Sequence, residues 1–310
     1  ETAWGGVEET VEFASKTDQL LHEYYCEKVE AIDPAELEMG VQALAGQGLT
    51  SQVFKSKWNG SDVAMKTMIL VPGGGEYKAA CVEAAVQGSL LHPNVVTLFG
   101  VASRYGGHDS LEMSLVMEWL PVTLHCLMYN KPYNTVFRNS GIPARCDLAH
   151  SLTSGVRFLH DHGIIHRDIS PSNVLFDESL QCAKLCDFGF AVVVESMEGK
   201  HMGYVGTPRY SAPEVLLDGS YDYISDVYSL GCLLWEIFLG CPPFGNLSDN
   251  QVFGATRGGQ PPYELPENLW VEFPASSRPR SKSLVRHESK ELLTVGDLLS
   301  SSNEPKSFVE

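Results

Sequence analysis

At 310 residues the chain exceeds the usual size of one domain without demanding two, and it is long enough to bury a sizeable core. Hydrophobic residues make up 44% and charged residues 20%, the balance of a soluble globular protein. A formal charge of −17 argues against a nucleic-acid-binding body, which needs a basic stripe, and is read as a solubility feature. The eight cysteines form no paired CxxC knuckles and read as reduced core residues of a reducing compartment; Cys182 and Cys186, either side of a strand, are the pair a minor zinc reading would use. No apolar run reaches the roughly 18–20 residues of a membrane span. The nearest, 229–244, is broken by Glu236 and ends in Pro242-Pro243. The opening ETAWGGVEE lacks a basic n-region and an apolar h-region, so no signal peptide is expected, and the chain begins with Glu, as a fragment would.

Residues 1–36 are acidic with a weak helical pattern over 11–29, which predicts a short helix packed on the adjoining domain and carries no chemistry of its own. Three short strands are expected at 37–40, 52–58 and 62–68, the last two joined by Asn59-Gly60, a strong hairpin signal. A helix over 76–91 and strands at 95–101 and 112–118 come next. After Pro121 the pattern turns helical. Leu148, Leu152, Val156 and Leu159 recur as one buried stripe, and Gly163 marks the end of that helix. The segment 225–239 is apolar nearly all round and predicts a central, buried helix, with Asp226 near its start favouring the dipole and capping free N–H groups. Ser248-Asp249 opens a helix of about two turns. From Ala275 the chain is rich in Ser, Arg and Lys and predicts a disordered tail, read as a solvated linker with a phosphorylated docking segment as the alternative. The layout is therefore α+β: a small strand-rich lobe and a larger helical lobe with a cleft between them.

Three motifs stand in order. His166-Arg167-Asp168-Ile169-Ser170-Pro171-Ser172-Asn173 is followed fourteen residues later by Asp187-Phe188-Gly189, and then by Ser211-Ala212-Pro213-Glu214. Upstream, Lys66 closes Val63-Ala64-Met65-Lys66, and Gly46 and Gly48 stand in a glycine turn twenty residues before it. Any one of these alone is weak, since a lone Asp is more often a loop cap. Together, over roughly 37–266, they resemble the eukaryotic protein kinase family.

The resemblance implies the bilobal protein kinase fold, with an N-terminal extension at 1–36, an N-lobe at 37–120, a C-lobe at 121–274 and a tail at 275–310. It implies ATP and Mg²⁺ as cofactors, because phosphoryl transfer needs the phosphates held, neutralised and aimed. In that frame Asp168 matches the residue that orients the acceptor hydroxyl and takes its proton. Asn173 and Asp187 match the metal ligands, whose hard oxygens suit Mg²⁺. Lys66 matches the phosphate-contacting lysine, and Glu83, nine residues before His92, its partner. Gly46 and Gly48 match the phosphate loop, with Ser51 in place of its third glycine. Val53, Ala64 and Leu175 would sandwich the adenine, Met117 stands at the gatekeeper position, and Glu118, Trp119 and Leu120 form the hinge. Asp226 matches the aspartate that anchors the catalytic-loop backbone.

Gly206-Thr207-Pro208-Arg209-Tyr210 resembles serine/threonine kinases, while Trp58-Asn59-Gly60 and Ser225-Asp226-Val227-Tyr228-Ser229 look like the tyrosine-kinase-like group. The implied activity is transfer of the ATP γ-phosphoryl group to Ser or Thr of protein substrates, in the cytoplasm or the intracellular part of a larger protein, with no nucleic-acid partner. Arg167 beside Asp168 implies control by an upstream kinase acting on Ser196 or Tyr204. Three departures keep a nucleotide-binding pseudokinase scaffold open, with a tyrosine kinase as a lesser alternative. Ser170 replaces a lysine that neutralises the γ-phosphate. Gln87 takes the place of an apolar spine residue. The C-terminal end is short, with only Trp270 and Arg278-Pro279 hinting at the family's last segment and Glu214 left without its arginine.

Overall fold

The computed structural model describes residues 16–38, 44–47, 51–106, 110–194 and 203–263. Gly48, Ser196, Trp270, Arg278-Pro279 and the tail at 275–310 lie outside them.

The first lobe opens with α1 (Lys16–Lys28), then β1 (Ala31–Ile32) and β2 (Leu37–Glu38). A long antiparallel set comes next: β3 (Leu44–Gln47), β4 (Ser51–Trp58) and β5 (Ser61–Leu70), then α2 (Gly75–Gly88), β6 (Leu98–Tyr105) and β7 (Leu111–Glu118). These form one seven-stranded sheet in the order β1-β6-β7-β5-β4-β2, with β3 paired to β4. Asn59 (φ 50°) and Gly60 (φ 76°) both adopt left-handed backbone and turn β4 into β5, as the Asn-Gly signal predicts. In β7 the run from Met113 to Val116 is buried, the pattern of a strand covered on both faces.

The second lobe begins with β8 (Val122–Thr123), α3 (Leu124–Tyr129), α4 (Tyr133–Asn139) and α5 (Ile142–Asp161). Leu148, Leu152, Val156 and Leu159 bury one face of α5, and Gly163 (φ 72°) stands just past its end. Short strands β9 (Ile164–Ile165), β10 (Val174–Phe176), β11 (Ala183–Leu185) and β12 (Val192–Val193) form a β11-β10-β8 sheet and a β12-β9 pair. Then come α6 (Pro213–Asp218), α7 (Tyr223–Leu239) and α8 (Asp249–Arg257). α8 begins with a Ser248–Gln251 capping box. One buried apolar cluster runs from Tyr25 in the first lobe to Ile237 in the second.

Three expectations are refined, and a fourth falls partly outside the described residues. The helix predicted over 76–91 stops at Gly88, where the Ser89 hydroxyl bonds the Val86 carbonyl and the Ser89 N–H bonds Ala85. The strand expected at 95–101 is displaced to 98–105. Val95 instead bridges to Leu185, and the Val96 N–H donates to the Leu185 carbonyl at 2.9 Å, so this apolar stretch ties the lobes together. The strand expected at 37–40 is described only over Leu37–Glu38. The cap of α7 is Asp222, whose capping box with Ser225 fills the role expected of Asp226. Asp226 lies one turn further on, and its carboxylate binds the backbone of the loop 166–173 instead.

Candidate active site

Between the lobes lies a cleft of about 300 Å³, within the size range of small-molecule sites. The sheet supplies its roof. In β5, Ala64 and Lys66 share a face by the two-residue period of a strand, and Val53 of β4 lies opposite Lys66 in the hairpin register. Gly46, Val53, Ala64, Met117, Glu118, Trp119, Leu120 and Leu175 all line the cleft, together with Lys66, Glu83, Asn173 and Asp187. Every described residue assigned to nucleotide or metal from the sequence is thus brought to one place.

The centre of the cleft is electrostatic. The Lys66 ammonium lies 2.7 Å from Glu83 Oε1 and 2.8 Å from Asp187 Oδ1. Burial opposes its charge, but the two carboxylates outweigh burial and raise its pKa. Asp187 is held below the ordinary carboxylate range: burial works against its charge, and the Lys66 ammonium overcomes it. Its side chain remains 47% exposed, open toward the cleft. Burial pushes the neighbouring Cys186 thiol up, which marks it as an inert lining group.

The loop 166–173 forms the floor. Asp168 Oδ1 accepts from the Thr207 N–H at 2.9 Å and the Thr207 hydroxyl at 2.7 Å. Asn173 Nδ2 donates to Asp168 Oδ2 at 2.7 Å and to the Asp168 carbonyl at 2.9 Å, which leaves the amide oxygen of Asn173 for another ligand. Asp226, 1% exposed, anchors this loop from α7. Its Oδ2 accepts from the His166 N–H at 2.8 Å and lies 2.9 Å from His160 Nε2, and its Oδ1 accepts from the Arg167 N–H at 3.0 Å. Arg167 (φ 67°) and Asp187 (φ 64°) both hold left-handed backbone without being glycine, strain of the kind that concentrates at functional sites. Phe188 is buried against the His166 ring, with centroids 5.2 Å apart.

Sequence reasoning missed three features. Lys184 clamps Glu118, assigned to the hinge by the resemblance, at 2.7 and 2.8 Å, and Glu118 Oε1 also accepts from the Thr97 N–H. Gln87, expected to loosen the site, is 1% exposed and well bonded: its amide donates to the Val96 carbonyl and the Met117 sulfur, each at 3.2 Å. These are long-range pairings with no local signature. Ser170 is 2% exposed, and its hydroxyl has no hydrogen-bond partner among the described residues. Glu214 is exposed and forms no ion pair among the described residues.

No group of three or more His, Cys, Asp and Glu side chains gathers as a metal cage among the described residues, and Cys182 and Cys186 form no such site. Asp187 and the Asn173 amide oxygen instead offer a sparse oxygen set. Mg²⁺ takes such a set when phosphates and water complete its octahedron. No described helix is long and apolar enough to cross a membrane.

The family model described as "Protein kinase domain" matches residues 40–295. Among curated proteins, the serine/threonine-protein kinase CTR1 of Arabidopsis thaliana is 30% identical over 236 residues, covering 75% of this chain and 28% of that protein. The dual specificity protein kinase shkD of Dictyostelium discoideum is 31% identical over 238 residues, covering 73% and 30%. The serine/threonine-protein kinase PLK4 of Drosophila sechellia is 31% identical over 208 residues, covering 66% and 26%. The chain thus spans less than a third of the length of these relatives. With its two lobes and the match over most of its length, the chain belongs to the protein kinase family.

Proposed function

We propose that this chain transfers the γ-phosphoryl group of ATP to serine or threonine hydroxyls of protein substrates. The supporting observation is convergence: Lys66 is bonded to both Glu83 and Asp187 in the cleft that Asn173 also lines, and Asn173 is bonded to Asp168. In this reading Val53, Ala64 and Leu175 hold the adenine, with the hinge at Glu118 and Leu120 beside the gatekeeper Met117. Lys66, fixed by Glu83, holds the phosphates, and the resemblance assigns Gly46 and Gly48 to the phosphate loop. Asp187 and Asn173 would hold Mg²⁺, which supplies neutralisation of the phosphate charge. Asp168 accepts the proton of the acceptor hydroxyl as its oxygen bonds the γ-phosphorus and the bond to ADP breaks. The two bonds from Thr207 to Asp168 favour Ser/Thr acceptors, as do the names of two of the relatives. The lobes are assigned to 37–120 and 121–274, and the setting to the cytoplasm or the intracellular part of a longer protein.

The test is transfer of labelled phosphate from ATP to a generic protein substrate, with phosphoamino-acid analysis and an Asp187→Ala control. Phosphoserine or phosphothreonine that disappears in the control supports the reading. Phosphotyrosine would reassign the acceptor, and nucleotide binding without Asp187-dependent transfer would make the chain a scaffold.

Glu83 gives this reading a pH signature. Burial raises its pKa against the pull of Lys66, so on acidification it takes up a proton before exposed carboxylates do. Neutral Glu83 no longer pairs with Lys66, whereas Asp187, shifted down, stays ionised. We expect kcat/KM for ATP to fall along an acid limb set above the ordinary glutamate range, and Glu83→Gln to remove that limb. Stability moves the other way for this group. Its contribution is complete below the unfolded-state pKa and is lost as pH rises through the raised folded-state value.

Ser170 gives a second expectation. Its buried hydroxyl carries no charge, and in the family's motif the lysine at this position meets the γ-phosphate. Ser170→Lys is therefore expected to raise kcat, by up to about 10²-fold if the added cation meets the developing charge. A fall in kcat at unchanged thermal midpoint would show that the site is built to work without it.

An upstream kinase is the proposed regulator. Arg167 stacks on the Tyr221 ring, bonds the Phe190 carbonyl and forms no ion pair among the described residues. Tyr204 already donates to the Gly206 carbonyl at 2.7 Å and packs edge-on against Phe253, so Ser196 is the preferred acceptor of the two.

A further inference from the structure

Residues 16–32 precede the family match, which begins at residue 40, yet they are built into the first lobe. α1 has 13 residues, too few for a stable isolated helix, so tertiary packing must hold it. Tyr25, 2% exposed, is among the largest fully buried side chains of the described protein, and Tyr24 and Val29 are buried in the same cluster. α1 lies along α2, with the His22 and Tyr77 rings 6.4 Å apart across the contact. β1 then adds to the sheet in parallel with β6, and the Val101 N–H donates to the Glu30 carbonyl at 2.8 Å. The seat is fitted: a Cβ on Gly100 would stand 2.5 Å from the Glu30 carbonyl oxygen and 3.0 Å from Ile32.

The geometry of α2 gives this packing a consequence. Cys81, Ala85 and Gly88 recur at i, i+4 and i+7 and form a face of small groups. A Cβ on Gly88 would meet Val29 at 3.2 Å, which places that face under the N-terminal segment. Glu83 stands two residues after Cys81, about 200° round the helix, and so points the other way, into the cleft. α2 itself begins at Gly74-Gly75 without a side-chain cap. Its position depends on what presses on it from each side.

We propose that residues 16–32 form a positioning element of the cleft, an intramolecular brace anchored by Tyr25 that presses α2 inward and keeps Glu83 on Lys66. The inference rests on the proposed kinase activity only for its catalytic consequence. Tyr25 touches neither substrate nor nucleotide and acts through Glu83.

The test uses the full chain with Tyr25→Ala, Tyr25→Phe and Gly100→Ala, the last unseating β1 should the first variant fail to fold. Tyr25→Ala should lower kcat/KM for ATP about tenfold, and Tyr25→Phe should stay within about twofold of the native chain. In a Glu83→Gln background Tyr25→Ala should change the rate less than about twofold, because the route through Glu83 is already cut. Backbone hydrogen exchange should quicken over 75–88 and stay unchanged over 223–239. Equal losses in both backgrounds, native rates in Tyr25→Ala and Gly100→Ala, or exchange rising equally in both segments would each overturn the brace. If the native chain transfers no phosphate, the catalytic reading fails while the exchange comparison still decides the brace.

Discussion

Replacing Asp168 with Asn is expected to lower kcat by about 10²–10⁴-fold while leaving nucleotide affinity near that of the native chain. The carboxylate is committed on both oxygens. One accepts two bonds from Thr207 and the other accepts the Asn173 amide. An amide offers one oxygen only, so Asp168→Asn sets a donor against either Thr207 or Asn173 and also removes the proposed base for the hydroxyl proton. Lys66, Asp187 and the apolar walls of the cleft at Val53, Ala64 and Leu175 are untouched. The change should therefore fall on the chemical step, read by steady-state kinetics beside a nucleotide titration. A variant that keeps its rate would remove Asp168 from the mechanism; one that loses nucleotide would show that the loop, not the base, was damaged.

The second large effect is expected at Asp226, and it is structural. Asp226→Ala strips the His166 and Arg167 N–H groups of their acceptor inside the second lobe. Each orphaned buried donor costs about 1–3 kcal/mol. The same bonds hold Arg167 in left-handed backbone, a conformation that costs on the order of 1–3 kcal/mol and persists only while its surroundings impose it. Release of Arg167 would carry the adjacent Asp168 off its bonds to Thr207. The thermal midpoint should fall by on the order of 10 °C, with kcat falling at temperatures where the chain is still folded. Asp226→Asn, which keeps one acceptor, should lose less of both. Calorimetry and kinetics on the pair check this. A midpoint unchanged in Asp226→Ala would mean that the loop is held by other contacts.

Local physics made most of the architecture legible. The Asn59-Gly60 hairpin needs two left-handed residues and has them. The α5 stripe needs only helical periodicity, and its four named residues are buried as read. The candidate site residues were legible through their resemblance to protein kinase motifs, and the fold brings those described to one cleft and its floor. What escaped was set by contacts distant in sequence. Val95 and Val96 have strand-like character but serve as a tie between the lobes. The cap of α7 is Asp222, because Asp226 one turn later faces the loop 166–173 and its carboxylate goes there. Gln87 looked disruptive as a polar residue in an apolar place, and only the positions of the Val96 carbonyl and the Met117 sulfur show that it is satisfied. The weak helical pattern before residue 30 foretold a helix but not its pressure on α2, since nothing near Tyr25 in sequence points to Glu83.

The proposed catalytic arrangement stands or falls on where a nucleotide sits. A crystal structure with Mg²⁺ and a non-hydrolysable ATP analogue should place the base between Ala64 and Leu175, the phosphates at Lys66, and the metal on Asp187 and the Asn173 amide oxygen. An analogue bound outside this cleft, or a metal that ignores both residues, would contradict it.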